Sequence, residues 1–250
     1  PAIRLSLRGE ATLNKNFIDC IKYAKENGIK EVSTLTHGFK LNQDFVEKII
    51  DAGIDWITVS IDGTDETYNS IRKPLKFDDL YQKIKGLAEY KKLKGLKKPV
   101  IKIQSIWPAI EGKTDDFYER FKDISDLVAF NPLIDYLWND SEIQYVENFT
   151  CPQQYQRLVV GADGLVMKCS NDEENKEVIG DMNTDSVYSI WHGEKMSKIR
   201  ALHLTGTGFL KNDVCRRCYL PRETKKEIHH VGDREIIVQN YTKRTQIIGK

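Results

Sequence analysis

Four of the five cysteines of this 250-residue sequence lie in its second half, at spacings that suit a metal or cluster site. Two of them form a C-x-x-C motif, which can direct two sulfur atoms to one point. The other two flank a stretch with the pattern of a β-hairpin. Four converging thiolates are the ligand set that Zn²⁺ or an iron–sulfur cluster requires. The four candidate ligands are Cys151, Cys169, Cys215 and Cys218.

The hairpin pattern explains how the first two cysteines would meet. Gln156–Val160 and Leu165–Lys168 are short apolar runs typical of strands. Gly161–Gly164 lies between them and predicts a tight turn, because glycine supplies the positive φ that such turns need. Cys151 and Cys169 would then lie at the two open ends of one hairpin, close in space.

Other interpretations of these cysteines are weaker. Unrelated buried thiols would not require a C-x-x-C motif, and 250 residues can form a core without disulfides. A thioredoxin-type motif should open a helix after a strand, which Val214–Pro221 does not do. A metal or cluster site is therefore favoured, and spacing alone does not choose zinc over iron–sulfur. The fifth cysteine, Cys20, is predicted to be a packed thiol on a helix.

Composition places the chain among ordinary globular proteins. It is 40% hydrophobic and 30% charged, with a net charge of +1. No apolar run approaches the roughly 18 residues of a membrane span, and nothing in the charge balance requires nucleic acid. We therefore expect a cytoplasmic protein without a nucleic-acid or membrane partner. The sequence opens inside a predicted strand at Pro1, without a methionine, and we expect that its natural N-terminus has been lost.

Residues 1 to about 135 alternate predicted strands and helices. Such alternation with β-branched strands predicts a parallel sheet with right-handed crossovers, and we favour a barrel over a flat sheet. The predicted strands are Ala2–Leu7, Glu31–Thr36, Trp56–Ile61, Val100–Ser105 and Leu127–Phe130. The predicted helices begin near Asn16, Asn42, Asp78 and Thr114, with Asn42 as an N-cap. His203, His229 and His230 are expected at the surface.

Polar residues follow each of the five predicted strands. In parallel β/α folds the chemistry lies at the carboxyl ends of the strands, so these residues should share one rim. Polar loops are common in any case, and a single member of the set proves little. Glu10 suits an ammonium partner, Gly9 permits close approach to the backbone, and Arg72 suits a carboxylate. The other polar rim residues include Arg8, Thr36, His37, Ser60, Asp62, Gln104, Ser105 and Asn131.

These rim segments resemble those of the radical S-adenosylmethionine (radical SAM) enzymes that carry a C-terminal SPASM or twitch domain. Arg8–Leu13 resembles the family's Gly-Gly-Glu region. Thr36–Gly38 resembles its Thr-Asn-Gly, with histidine in place of asparagine. Ser60–Gly63, followed by Tyr68 and Arg72, is similar to the segment after the next strand.

The cysteine pattern carries the more specific part of the resemblance. Cys151, then 12 residues, Gly164, then four residues and Cys169 matches the SPASM opening C-x9–15-G-x4-C. A full SPASM domain continues after its C-x2-C with further cysteines. Here Thr224 occupies the next expected position after Cys218, and no cysteine follows. The pattern thus resembles the shorter twitch domain, which holds one auxiliary [4Fe–4S] cluster.

The resemblance implies a fold, a domain division and a set of cofactors. The fold class would be α/β, with a partial (β/α)6 barrel that lacks its first strand over residues 1–135. A small α+β cluster domain would cover 136–225, and a C-terminal tail 226–250. The implied cofactors are SAM, a SAM-binding [4Fe–4S] cluster and the auxiliary [4Fe–4S] cluster held by the four cysteines. The implied SAM-binding residues are Gly9, Glu10, Thr36, Ser60, Asp62, Arg72 and Gln104.

One family motif is absent from the sequence. The C-x3-C-x2-C that binds the SAM-cleaving cluster belongs before residue 1, so this chain alone should not cleave SAM. The intact protein would use a 5′-deoxyadenosyl radical to abstract a hydrogen and an external one-electron reductant to generate that radical. The favoured substrate is a small alcohol or sugar, since the spacing is similar to that of a twitch enzyme that oxidises a cyclitol alcohol. Maturation of a ribosomal peptide and a non-enzymatic zinc module are the alternatives.

Overall fold

The computed structural model describes residues 1–133, 143–242 and 247–248. The chain divides into two compact units. The first comprises Pro1–Leu133, Lys226–Val238 and the described residues of Gln246–Lys250, and the second comprises the described residues of Ile134–Lys225 and Gln239–Thr245. The boundary predicted between residues 135 and 136 lies outside the described residues. Within the described residues, no helix combines the length and apolar character that crossing a membrane requires.

The first unit contains five parallel strands in sequential order. This arrangement confirms the predicted α/β class, because each crossover between parallel neighbours carries helical structure. The first strand is shorter than predicted, although the Leu5 amide still donates to the Ser33 carbonyl at 2.8 Å. The strands are β1 (Ala2–Arg4), β2 (Glu31–Thr36), β3 (Trp56–Ser60), β4 (Val100–Ile106) and β5 (Leu127–Asn131).

Helices cover one face of this sheet and form its main core. Asn42 caps the second helix as predicted, since its side chain accepts from the Phe45 amide. Ile57 and Val59 of β3 are fully buried among apolar helix residues such as Ile21 and Ile84. The helices are α1 (Phe17–Glu26), α2 (Gln43–Asp51), α3 (Asp65–Ile71), α4 (Phe77–Leu93), α5 (Trp107–Ile110) and α6 (Thr114–Phe121).

The second unit is a small α+β assembly. Its antiparallel sheet has the order β6-β7-β8. Val166 of the central strand and Met196 of a covering helix are fully buried in a separate core. The elements are β6 (Val159–Val160), β7 (Leu165–Met167), β8 (Val178–Asp181), α7 (Val187–His192), α8 (Glu194–His203) and α9 (Asp213–Arg216), with 3-10 turns at Pro152–Tyr155 and Gly208–Lys211.

The segment predicted as a C-terminal tail, 226–250, contains most of one long strand, β9 (Thr224–Val231), and all of a second, β10 (Arg234–Tyr241). They pair with each other in a separate two-stranded sheet. Val238 is buried in the core of the first unit. The His229 ring lies 4.7 Å from the Trp107 ring, so this histidine is only partly exposed.

Candidate functional site

The four predicted cysteine ligands line one pocket in the second unit, with a cavity volume of about 90 Å³. Cys151, Cys215 and Cys218 are buried, and Cys169 is partly exposed. No cysteine in the described part of the chain forms a disulfide. The structure therefore brings together all four thiols that the sequence singled out.

The hairpin positions the first pair of cysteines, Cys151 and Cys169, but it differs in detail from the predicted hairpin. Its first strand is only Val159–Val160, and Cys151 precedes a 3-10 turn rather than the strand itself. The turn is as predicted: the Gly161 amide donates to the Leu165 carbonyl at 2.8 Å, and Gly164 has φ +87°. A Cβ on Gly164 would lie 2.5 Å from Asn183 Nδ2, so close packing as well as conformation favours glycine.

A single helical turn positions the second pair of cysteines, Cys215 and Cys218. Asn212 caps α9, because its Oδ1 accepts from the amides of Val214 at 3.1 Å and Cys215 at 3.0 Å. The Cys218 amide donates to the Cys215 carbonyl at 3.1 Å. The C-x-x-C segment is thus held by its own backbone and by one side chain.

Burial makes these thiols hard to ionise without a cation. It raises the pKa of Cys215 to about 12 and that of Cys218 to about 11. Burial also raises the pKa of Cys169. Metal ligands must be thiolates, so an iron or zinc cation would compensate the charge that the apolar surroundings disfavour.

Polar side chains reach the sulfur atoms from outside the ligand set. Asn171 Nδ2 donates to Cys218 Sγ at 2.9 Å, and the Leu220 amide points at the same sulfur from 3.4 Å. Lys168 Nζ lies 3.4 Å from Cys215 Sγ. Such N–H···S contacts are typical of proteins that stabilise thiolate-bound clusters.

His203 also lies close to Cys215, and its position differs from the one predicted from the sequence. It was expected at the surface, yet it is 1% exposed, and its Nε2 lies 3.5 Å from Cys215 Sγ. Burial and the nearby Lys168 ammonium lower the pKa of His203, so a neutral ring is favoured. The prediction for the fifth cysteine was also wrong in one respect. Cys20 lies on α1, but it is exposed rather than packed.

The side chains around the pocket define the kind of group it can hold. Among the described residues, no set of three or more His, Cys, Asp or Glu side chains is arranged to hold a single metal ion. Four thiols nevertheless surround one space. An all-sulfur donor set around one pocket fits an iron–sulfur cluster, and it is also the donor set of a zinc ion held by four cysteines.

In the first unit, Glu10 forms the centre of a second polar group. Its Oε1 accepts from the hydroxyls of Thr12 at 2.5 Å and Thr36 at 2.7 Å. Its Oε2 accepts from the His37 amide at 2.8 Å. Burial alone would raise the pKa of Glu10, but these hydrogen bonds outweigh it and hold the pKa below its ordinary value. Glu10 therefore stays ionised and can accept from a cationic ligand.

Thr36 and Gly9 support this carboxylate in different ways. Thr36 is 1% exposed, and its hydroxyl both donates to Glu10 and accepts from the Gly38 amide at 3.0 Å. Thr36 therefore holds the Glu10 carboxylate in place, and its contact with the cofactor stays a prediction. Gly9 has φ +68°, and the space where a Cβ would stand is open.

Ser60, Asp62 and Arg72 meet at the end of β3. Arg72 Nε donates to Asp62 Oδ2 at 2.6 Å, and Arg72 Nη2 donates to Ser60 Oγ at 2.8 Å. Asp62 Oδ1 is buried without a hydrogen-bond partner among the described residues. Gln104 is the register partner of Ser60 on β4, and its Oε1 accepts from Lys102 Nζ at 2.9 Å. The fixed guanidinium and the orphan carboxylate oxygen leave polar capacity for a ligand.

Comparison with known protein families gives two matches. The Radical SAM superfamily model matches residues 5–124, and SPASM, an iron–sulfur cluster-binding domain, matches residues 151–219. Together they span both sets of residues described above. The chain belongs to the radical SAM superfamily and carries a SPASM-type cluster-binding domain. Members of this class use SAM, a SAM-binding [4Fe–4S] cluster and auxiliary iron–sulfur clusters, and the zinc-module alternative loses its support.

The chain is also similar to curated proteins of this superfamily. A probable GTP 3′,8-cyclase of Methanocaldococcus jannaschii is 26% identical over 83% of this chain and 67% of its own length. A GTP 3′,8-cyclase of Mannheimia succiniciproducens is 33% identical, over 46% of this chain and 32% of its own length. The second alignment spans about a third of that relative.

Solved structures agree on the fold. BtrN in complex with AdoMet and 2-DOIA has a TM-score of 0.57 at 19% identity, covering 87% of this chain and 72% of BtrN. Native anSMEcpe with bound AdoMet and Cp18Cys peptide has a TM-score of 0.63 at 16% identity, covering 87% and 76%. SuiB of Streptococcus suis bound to S-adenosylmethionine has a TM-score of 0.53 at 12% identity, covering 87% and 60%.

Proposed function

We propose that the intact protein is a cytoplasmic radical SAM oxidoreductase whose auxiliary [4Fe–4S] cluster is held by Cys151, Cys169, Cys215 and Cys218. The observation that carries the proposal is the convergence of these four thiols on one pocket within the SPASM match. When bound, SAM and its cluster supply a 5′-deoxyadenosyl radical, after one electron is delivered by an external reductant.

The rim residues would bind and orient SAM. Glu10, held ionised by its donors, would accept from the methionine ammonium, beside the open backbone of Gly9. Arg72 would bind the carboxylate, with Ser60 and Asp62 fixing the direction of its guanidinium. Gln104 would line the same rim next to Ser60. These contacts position the cofactor, and none of them transfers a proton in the proposed reaction.

The favoured reaction is oxidation of a small alcohol or sugar at carbon. A hydrogen atom leaves the carbinol carbon and becomes part of 5′-deoxyadenosine. The remaining substrate radical loses one proton from its hydroxyl and one electron, which gives a ketone. Cys151, Cys169, Cys215 and Cys218 would hold the auxiliary cluster, which would supply the acceptor for that electron. With four cysteines available as ligands, direct ligation of substrate to this cluster is not expected.

A peptide substrate is the second candidate, since anSMEcpe, one of the structural relatives, was solved with a bound peptide. The curated relatives named GTP 3′,8-cyclase add a nucleotide as a third class to be tested. The 250 residues contain no C-x3-C-x2-C motif, and by themselves they should form no 5′-deoxyadenosine.

The test is mass spectrometry of 5′-deoxyadenosine made by the reconstituted, reduced protein at its natural length. Alcohols and sugars deuterated at the carbinol carbon, a panel of deuterated peptides and deuterated GTP are supplied separately. Deuterium in 5′-deoxyadenosine together with a ketone product supports the proposal. Deuterium transfer from a peptide or from GTP alone would assign the substrate to that class instead of the alcohols and sugars. A complete absence of 5′-deoxyadenosine would overturn the proposed radical reaction.

A further inference from the structure

Lys168 is a buried charge that the proposed reaction does not use. Its side chain is 0% exposed, and lysine is almost never fully buried without a partner. It directly precedes Cys169 in the chain, yet its Nζ lies 3.4 Å from Cys215 Sγ, a ligand candidate from a different segment.

Two further side chains hold the Lys168 ammonium in place. Asn212 Oδ1 accepts from Nζ at 2.5 Å, and Glu177 Oε2 lies 3.2 Å from Nζ. Asn212 Nδ2 in turn donates to Glu177 Oε1. Asn212 also caps the helix that carries Cys215. The ammonium is therefore fixed relative to the sulfur rather than free to reach solvent.

A fixed positive charge beside a cluster ligand has a defined electrostatic consequence. Reduction adds one negative charge to a cluster, and a nearby ammonium stabilises that charge, which raises the reduction potential. Burial strengthens this interaction, because the local dielectric is low. Glu177 is 31% exposed and carries the opposite charge, so it should lower the potential to a smaller extent.

We propose that Lys168, partly offset by Glu177, sets the reduction potential of the auxiliary cluster so that it can accept an electron from a substrate radical. Lys168 acts through Cys215 and is a positioning residue rather than a ligand. The inference rests on the proposed cluster site.

The experiment measures the midpoint potential of the reconstituted protein by a spectroscopic redox titration, with iron counted for each variant. The variants are K168M, K168R and E177Q. K176M is the matched control, because Lys176 lies in the same loop region in an exposed ion pair with Glu174. Unfolding curves of the metal-free proteins report whether each variant folds.

The expected shifts in midpoint potential, relative to the wild type, differ in sign between the variants. K168M should be more negative than the wild type, E177Q more positive, and K168R and K176M close to the wild type. An unchanged potential in K168M, or a shift of E177Q in the negative direction, overturns the inference. If K168M retains no iron, the sign of the E177Q shift decides. A wild-type protein that takes up no iron would instead overturn the cluster assignment itself.

Discussion

Replacing Glu10 by glutamine should destabilise the first unit, because one carboxylate oxygen becomes a donor. Oε2 accepts from the His37 amide at 2.8 Å, while Oε1 already serves two threonine hydroxyls. In E10Q the new NH₂ group either faces the His37 amide or displaces the hydroxyl donors. A buried donor left without an acceptor costs about 1–3 kcal/mol. The Glu10 side chain is only 7% exposed, so solvent offers little compensation.

The effect should also depend on pH with a definite sign. The folded-state pKa of Glu10 is depressed below its ordinary value of 4.5. Its stabilising contribution is therefore fully present above that value and is lost as the pH falls through the folded-state pKa. The difference between wild type and E10Q in free energy of unfolding should be largest near neutral pH and shrink in acid.

Urea denaturation at several pH values measures both effects. E89Q is the matched control, because Glu89 is 67% exposed and lies 3.8 Å from its nearest cation, Lys85. Its change should stay within about 0.5 kcal/mol. An E10Q protein as stable as the wild type at neutral pH, or a difference that grows in acid, would refute the hydrogen-bond account of Glu10.

Two other substitutions test the geometry of the sites, each by urea denaturation. R72M should lower the free energy of unfolding by about 1–3 kcal/mol, because it leaves the buried Asp62 carboxylate without its cation. Solvent moderates the loss, since Arg72 is 31% exposed. An unchanged urea midpoint would contradict this expectation. G164A should cost about 1–3 kcal/mol from the positive φ and the contact with Asn183. G95A is its control, since Gly95 also has a positive φ but open space around it. A G164A cost no larger than that of G95A would rule out the steric contribution.

The sheet and its helices could be predicted because their signals are local. Glu31–Thr36 is observed with the predicted bounds, since β-branched residues between turn signals define a strand without tertiary help. Asn42 caps α2 for a similar reason: the cap and the amide it serves are three residues apart. The cysteine pocket was also predictable, because its spacing motif is specific.

The features that could not be predicted from the sequence depend on contacts between distant segments. His203 is polar and near a helix end, and only the fold places it beside Cys215. Lys168 looks like an ordinary strand-end lysine. Its burial depends on Asn212, which is 44 residues away in the chain and also binds the Glu177 carboxylate. Val238 lies in a segment predicted as a tail, and it joins a core formed by residues more than 100 positions away.

The most direct test of the central claim is anaerobic reconstitution with iron and sulfide, followed by iron counting and a visible spectrum. The account predicts about four irons per chain and brown charge-transfer absorption. Both should be lost in C215A and retained in C20A, because Cys20 is exposed and outside the pocket. A colourless protein with one tightly held zinc ion would contradict the account.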